Sequence, residues 1–399
     1  MASVTVETRQ RSTFDHGITG LLVLFAASSM LSVAISQICL GVLVLLMLGR
    51  SVWSRERPCQ VPFAWSVGLF VIWGLLMIPF STDPAFSFGM AKRFALYSAL
   101  WVGACLVDGE DRRRWMFWAL VAAIVANAVH TALTQDYDLD GTGRRVTMVQ
   151  RSAMTGAWIM ASASIIMFAF IMVLRSWRIR IVLMSAELIL LFLIYLSRTR
   201  SAWLGLLAGL LTVLFITRKR LIPVVVLIFA LGVALGPEAI RERVVSIVDP
   251  SYSSNSVRIA QWEAGVELVK WKPVTGVGDV YLAEIIEAKT DYVNTFASNM
   301  HHLHHSLVTT AVFWGIPGLV MLLVLMGHLL ILLVRAWRTG AGDEPYRRAW
   351  VLAGLGVWVF YNLTGMLDAL VIDPEMSLVF LGVLGVGLGR LDRFSPPDA

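Results

Sequence analysis

The sequence predicts an all-α polytopic membrane protein with about twelve transmembrane helices and one large helical loop outside the membrane. The 399 residues are 57% hydrophobic with a mean hydropathy of +0.73, and only 15% of them are charged. Soluble domains carry about 25% charged residues. The apolar residues also fall into runs close to the ~20 residues that cross a bilayer. Because these runs extend along the whole chain, residues 1–399 are expected to form a single membrane domain.

Twelve apolar runs are candidates for membrane spans. The first run lacks a cleavage site and leads directly into the second, so it is interpreted as a retained helix and not as a signal peptide. The runs lie at residues 17–33, 35–49, 62–80, 90–107, 115–134, 153–174, 180–197, 201–217, 221–236, 306–334, 349–367 and 374–389.

Lysine and arginine in the loops indicate how the spans are oriented. With the N-terminus in the cytoplasm every inside segment is basic, as the positive-inside rule requires, and both termini lie inside. Any one basic residue on an outside segment could simply snorkel to the interface. Together, such residues favour a polyanion-binding site at the outer face of the membrane. They are Lys92, Arg93, Arg144, Arg145, Arg151, Arg198 and Arg200.

One large loop, residues 237–305 between helices nine and ten, is expected outside the membrane. "PEAIRERVVSIVD" is typical of a short helix with proline in its first turn. "SSNSVRIAQWEAGVELVKW" predicts a longer helix, with Ser256 as a plausible N-cap. "KPVTGVGD" predicts a turn, and "VYLAEIIEAKTDYVNTF" a third, weaker helix. This amphipathic package is expected to lie on the membrane and to close over a cavity.

The sequence contains only three cysteines. Cys39 and Cys105 fall inside predicted spans, and Cys59 lies in a short loop. This pattern suggests no disulfide framework.

The stretch "NMHHLHHSL" holds four of the seven histidines at the point where the loop enters span ten. On a helix, His301, His304 and His305 would share one face, because they are three and four residues apart. Three interpretations are open. Histidines at this spacing can ligate zinc, although no cysteine or carboxylate motif completes a ligand set. One of them could instead act as a general base, since histidine titrates near neutral pH. The remaining interpretation is a polar belt at the interface.

Arginines stand at two further positions of interest. Arg198 and Arg200 occur where span seven turns into span eight, in "YLSRTRSAWLGLL". A helix N-terminus favours anions, so this arrangement suits a phosphate, and snorkelling is the alternative. Arg258 and Trp262 are four residues apart on the loop helix, where the guanidinium could stack on the indole or lie in solvent.

Two acidic stretches complete the candidates. "DYDLDG", residues 136–141, begins like a calcium loop, but its twelfth position is Thr147 and not glutamate. The calcium interpretation therefore fails, and solvated turn aspartates are the simpler interpretation. Asp368, at the outer end of span eleven and followed by Asp373, could pair with the basic set or lie in water.

Three of these segments, in this order around one loop, resemble the bacterial O-antigen ligase family. "SRTRSAWLGLL" is similar to the family's S-R-G-A-W-L segment, with Arg200 on its arginine. "RIAQWEAGVELVKWKPVTGVG" resembles R-x-x-x-W…P-x-x-G-x-G, with Arg258 and Trp262 in place. "HHSLVTTAVFWGIPGL" resembles H-N-x-x-L…G-x-x-G, with His304 on the histidine and His305 in place of the usual asparagine.

The resemblance implies a metal-independent enzyme without a cofactor, facing the periplasm in the bacterial inner membrane. It implies transfer of a glycan from undecaprenyl pyrophosphate to a sugar hydroxyl of lipid A-core. His304, or His301 by position, would take the acceptor proton, and Arg200 and Arg258 would neutralise the departing pyrophosphate. Further contacts to the diphosphate or the donor sugars would come from Lys92, Arg93, Arg144, Arg145 and Arg151. Membrane lipids are expected partners, and nucleic acid is not.

Three alternatives remain open from the sequence. An O-antigen polymerase should have two sizeable periplasmic loops, and here only one loop is large. A protein O-oligosaccharyltransferase should have an additional C-terminal periplasmic domain, which the ending "GRLDRFSPPDA" does not provide. A transporter or flippase for an anionic lipid should carry charges near the span centres and paired repeats. The basic residues cluster at one face instead, which favours an enzyme.

Overall fold

A computed structural model describes residues 2–53, 59–134, 145–150, 152–247, 249–292, 300–339 and 344–389. Within these residues the regular secondary structure is all helical, with no β-strand, which confirms the predicted all-α class. The α-helices are α1 (Ala2–Ser28), α2 (Val33–Trp53), α3 (Ala64–Leu76), α4 (Pro84–Met90), α5 (Ser98–Leu106), α6 (Glu110–Thr134), α7 (Ala153–Val173), α8 (Trp177–Ser197), α9 (Arg200–Thr217), α10 (Ile222–Ala234), α11 (Glu238–Val245), α12 (Ser253–Trp271), α13 (Ala283–Lys289), α14 (Ser306–Arg338), α15 (Pro345–Gly365) and α16 (Pro374–Leu388). Short 3₁₀ helices occupy Ile78–Phe80, Ala91–Tyr97, Lys219–Leu221 and Leu370–Ile372.

Within the described residues, six helices are long and apolar enough to cross a membrane. They are the helices α2, α6, α7, α8, α9 and α14. A seventh span is formed if α10 and α11, which meet at an angle of 118°, are counted as one broken element. The twelve predicted runs all fall mainly on helical residues, but some of these helices are too short or too polar to qualify. The number twelve therefore stays a prediction.

Helix α7 lies at the centre of the bundle, and most of its side chains are buried. It packs against α8, α9 and α15, while α16 packs between α15 and α5. A helix that is apolar on all sides is suited to this central position, because every face of it contacts other helices. The same packing places the end of α15 beside the start of α14.

A break inside α14 joins this helix to the preceding loop. Gly315 has φ +71°, and the residue two positions later is Pro317, which has no N–H to donate to the carbonyl of Phe313. The N–H of Gly278 donates to that carbonyl at 3.1 Å instead. The N–H of Val277 likewise donates to Val312 O at 2.8 Å. The broken helix thus offers its carbonyls to the loop, which fixes the loop on the bundle.

Glycine is required on both sides of this junction. A Cβ on Gly315 would lie 2.1 Å from the carbonyl oxygen of Val274, and a Cβ on Gly276 would lie 2.5 Å from the backbone of Phe313. Both residues also have positive φ, which glycine adopts at little cost. Gly276 and Gly315 therefore allow the close approach of two backbones.

The loop contains the three predicted helices, α11, α12 and α13, but one predicted cap is wrong. Helix α12 begins at Ser253 with Tyr252 as its N-cap. Ser256 lies inside the first turn, and its hydroxyl donates to the carbonyl of Ser253. The helix extends further because Ser254 and Asn255 are held in place by a neighbouring arginine.

The expectation of no disulfide is also wrong. Cys59 and Cys105 are bonded, with their Cα atoms 6.0 Å apart, a separation typical of disulfides. Forty-six positions separate them in the sequence, and the packing of α2 against α5 brings their neighbourhoods together. Cys39 is a buried free thiol.

Candidate active site

The four clustered histidines lie on a non-helical segment before α14. Residues 300–305 are non-helical, His304 has φ +48°, and α14 begins only at Ser306. The predicted helical face of His301, His304 and His305 is therefore wrong. Because the segment is not helical, its imidazoles do not share one face, and two of them reach two different aspartates.

Asp368 is the centre of the first group. Its side chain is only 1% exposed. His304 Nδ1 hydrogen-bonds Oδ1 of Asp368 at 2.7 Å, and Arg258 Nη2 donates to Oδ2 at 3.3 Å. His302 Nε2 lies 4.0 Å from Oδ1. We call Asp368, His304, His302 and Arg258 the Asp368 cluster.

The turn after α15 holds Asp368 in position. The N–H of Ala369 donates to Oδ1 at 3.2 Å, and the hydroxyl of Ser306 donates to the carbonyl oxygen of Asp368 at 3.2 Å. Ser306 is the first residue of α14, so the carboxylate and His304 are attached to the same helix end. This arrangement explains how residues 64 positions apart in the sequence come within hydrogen-bond distance.

A cavity of about 450 Å³ opens beside the Asp368 cluster. Among the described residues that line it, four are arginines, one is His304, and none is acidic. The arginines come from four elements: the segment before α7, the start of α9, α11 and α12. They are Arg145, Arg200, Arg243 and Arg258. Such a cavity is electrostatically suited to a polyanion.

Most of the hydrogen-bonding capacity of Arg200 is used by residues of the loop. Its guanidinium makes four hydrogen bonds, to the carbonyl and the hydroxyl of Ser246, to the hydroxyl of Ser254 and to the side-chain oxygen of Asn255. It also lies 5.3 Å from the ring centre of Tyr252. Arg200 therefore fastens α9 to the junction of α11 and α12 while its charge faces the cavity.

Arg145 and Arg243 are placed on the same cavity wall. Arg145 donates to Ser197 O at 2.8 Å and to the hydroxyl of Thr199 at 2.7 Å. Burial, together with the neighbouring arginines, lowers the pKa of Arg145 to about 10. Arg243 donates to the backbone of Arg198 and to the hydroxyl of Tyr252. The part of this lowering of the Arg145 pKa that comes from the neighbouring arginines is repulsion between like charges, which an anionic ligand would relieve.

Asp279 is the centre of a second group. Arg93 donates to both of its carboxylate oxygens, at 2.7 and 2.6 Å. His301 Nε2 lies 2.9 Å from Oδ1, although it makes no hydrogen bond there. The ring of His301 is surrounded by Phe86, Tyr281 and Phe313. We call Asp279, Arg93 and His301 the Asp279 cluster.

The remaining histidine and tryptophan candidates pack against each other. His305 is the N-cap of α14 and accepts a hydrogen bond from the N–H of Val308. Trp262 meets His305 edge to face at 5.3 Å. Burial lowers the pKa of His305, and burial beside His304 lowers the pKa of His302 to about 4. The proposed stacking of Arg258 on Trp262 is not among the cation–π contacts of the described residues, since Arg258 turns to Asp368.

Several other candidates lie apart from the cavity or outside the described part of the chain. Lys92 is exposed. Arg198 ends α8 in a left-handed conformation and presents its carbonyl to Arg243. Arg144, Arg151 and the aspartates of "DYDLDG" fall outside the described residues. Asp373 caps α16, and burial raises its pKa.

Two residues of these groups were missed by sequence reasoning. Arg243 is one of two arginines in "IRERVV", and the sequence does not show that Arg243 lines the cavity while Arg241 is exposed. Asp279 follows the glycine turn "TGVG", and a carboxylate next to a tight turn was a signal that could have been used.

Residues 185–323 match the family model described as O-antigen ligase. This match confirms that the chain resembles the O-antigen ligase family. The matched segment runs from α8 through the loop to the broken part of α14, so it contains Arg200, Arg243, Arg258 and His304. Asp368 and Arg145 lie outside it. No match was found among curated proteins.

The match to this family, together with the apolar helices, indicates a membrane protein with a glycosyltransferase-like activity. The family's substrates are, in general, lipid-linked glycans and lipid A-core. An arginine-lined cavity beside a histidine–aspartate pair is chemically consistent with such substrates, which combine a diphosphate with a hydroxyl acceptor.

Proposed function

We propose that this protein is an O-antigen ligase. It transfers a glycan from undecaprenyl pyrophosphate to a sugar hydroxyl of lipid A-core, at the periplasmic face of the bacterial inner membrane. The observation that carries the proposal is the pairing of His304 with Asp368 at the edge of the four-arginine cavity. The segments on the other side of the membrane carry the larger number of basic residues, which supports a cytoplasmic location for them and a periplasmic location for the loop.

In the proposed reaction His304 is the general base. Asp368 accepts a hydrogen bond from Nδ1–H, which leaves Nε2 without a proton and able to accept one. Nε2 removes the proton of the acceptor hydroxyl as its oxygen attacks the anomeric carbon of the donor sugar. The bond between that carbon and the pyrophosphate oxygen breaks, and undecaprenyl pyrophosphate leaves with the electron pair.

The arginines of the cavity stabilise this leaving group. Arg145, Arg243 and Arg258 each keep N–H groups that can turn toward a diphosphate, whereas Arg200 acts mainly by holding the loop that carries Arg243 and Arg258. Guanidinium groups placed where negative charge develops lower the barrier. They supply charge that a divalent metal provides in other transferases, so the proposed reaction needs no metal.

The test is a transfer assay with the purified protein in detergent, with undecaprenyl-pyrophosphate glycan, lipid A-core and EDTA. A shifted lipopolysaccharide ladder is expected. Lengthening of the donor glycan without transfer to lipid A-core would identify a polymerase instead.

Arg243→Ala, compared with Arg241→Ala, tests the cavity in the same assay. Arg241 is exposed on the same helix and does not line the cavity. We expect Arg243→Ala to lower kcat by about 10²-fold, the effect of removing one donor to developing charge. Arg241→Ala should retain the wild-type rate. Equal rates in the two variants would show that Arg243 in the cavity does not contribute to the reaction.

A further inference from the structure

Three side chains of the Asp368 cluster have the chemistry of a transition-metal site. His302, His304 and Asp368 each offer one ligand atom, and these atoms all lie within 4.8 Å of one another. Two imidazoles and a carboxylate, with a fourth position left for water, are a ligand set that Zn²⁺ accepts. The proposed transfer uses His304 and Asp368 but gives His302 no task.

The distances allow such an ion after a small movement. Ligand atoms around a tetrahedral zinc, with bonds of about 2.0–2.1 Å, are about 3.3 Å apart. Asp368 is fixed by the turn after α15, but His302 lies on the non-helical segment with 36% of its side chain exposed. The set closes if the imidazole of His302 moves inward by roughly 1 Å and the 2.7 Å contact between His304 and Asp368 widens to about 3.3 Å.

The surroundings of Asp368 leave one of its oxygens for the ion. Arg258 contacts Oδ2, while both histidines face Oδ1. Arg258 can therefore keep its contact with Oδ2 while Oδ1 binds the ion, and its positive charge still offsets the negative charge of the carboxylate. The adjacent 450 Å³ cavity provides room for a water molecule on the remaining coordination position.

We propose that His302, His304 and Asp368 form a binding site for Zn²⁺ or a similar transition-metal ion, and that filling this site inhibits glycan transfer. The ion takes the place of the proton on Nδ1 of His304, and that proton leaves to solvent. With Nδ1 bound to the metal, the neutral ring carries its proton on Nε2 and can no longer accept one from the acceptor. The metal site stands on geometry alone, whereas the inhibition rests on the proposed function.

The binding test is competition with a chromophoric zinc chelator. Wild type, His302→Gln and the control His130→Gln, an exposed histidine outside the cluster, are titrated with ZnCl₂ in phosphate-free buffer. Wild type and the control should bind one zinc ion more than His302→Gln. Equal zinc stoichiometry in all three proteins would overturn the site.

The inhibition test uses the transfer assay without EDTA. His302→Gln should transfer glycan at the wild-type rate when zinc is absent, because His302 takes no part in the reaction. It should then need at least about tenfold more zinc than wild type for half inhibition, and EDTA should restore wild-type activity. Unchanged transfer by wild type with the site filled would overturn the inhibition. If no protein transfers glycan while the zinc difference persists, the proposed function fails and the metal site stands.

Discussion

The Asp368 cluster and the Asp279 cluster contain the same residue types in different surroundings. Each has one nearly buried aspartate, one arginine and at least one histidine within ion-pair distance. At Asp279 both carboxylate oxygens are taken by Arg93, and three aromatic rings surround His301. The space beside this pair is only about 10 Å³.

At Asp368 the arginine contact is single and longer, and the histidine is hydrogen-bonded to the carboxylate beside a cavity of about 450 Å³. In the Asp279 cluster, the ion pair between Arg93 and Asp279 joins the 3₁₀ helix Ala91–Tyr97 to the end of the glycine turn and holds these two segments together. The difference in access to a cavity is the reason why the proposed catalytic task falls to the histidine–aspartate pair at Asp368. Residue type alone does not separate the two.

The largest effect should separate the two histidines. His304→Ala removes the proposed base and should lower kcat by about 10²–10⁴-fold. His301→Ala should keep kcat within about tenfold of wild type, since three aromatic rings surround its imidazole. Single-turnover transfer rates measure both. A greater loss in His301→Ala than in His304→Ala would reverse the assignment of the two clusters.

Exchanging each aspartate for asparagine should give the next largest effect. Asp368→Asn keeps the shape of the side chain but can hold the wrong tautomer of His304, so kcat should fall by about 10²-fold or more. Asp279→Asn leaves His304 untouched and should change kcat only a few-fold. Folded protein must be verified for both variants by size-exclusion chromatography. Comparable losses of kcat would show that the two aspartates share one task.

The smallest change in rate, but a clear change in stability, is expected for Arg93→Gln. This variant leaves Asp279 with 7% of its side chain exposed and without its arginine, and breaking such a pair destabilises by about 3 kcal/mol. Arg258→Gln, by contrast, removes one 3.3 Å contact and should lower the unfolding midpoint less while lowering kcat more. Thermal unfolding in detergent, measured beside the transfer assay, distinguishes the two. A larger loss of stability in Arg258→Gln would contradict a structural role for the Asp279 cluster.

The sequence by itself determined the helical membrane class, the three loop helices and the segments that resemble the family. These features depend on local composition and spacing, which the chain retains in any context. Only the tertiary structure decided which histidine meets Asp368, because residues 301–305 are not helical and the helical spacing argument did not apply. It also brought Arg145 and Arg243 to one cavity and paired Cys59 with Cys105. Such contacts depend on how distant parts of the chain pack together. At the break in α14, for example, the carbonyls of Val312 and Phe313 accept hydrogen bonds from the loop residues Val277 and Gly278, which are more than 30 positions away in the sequence.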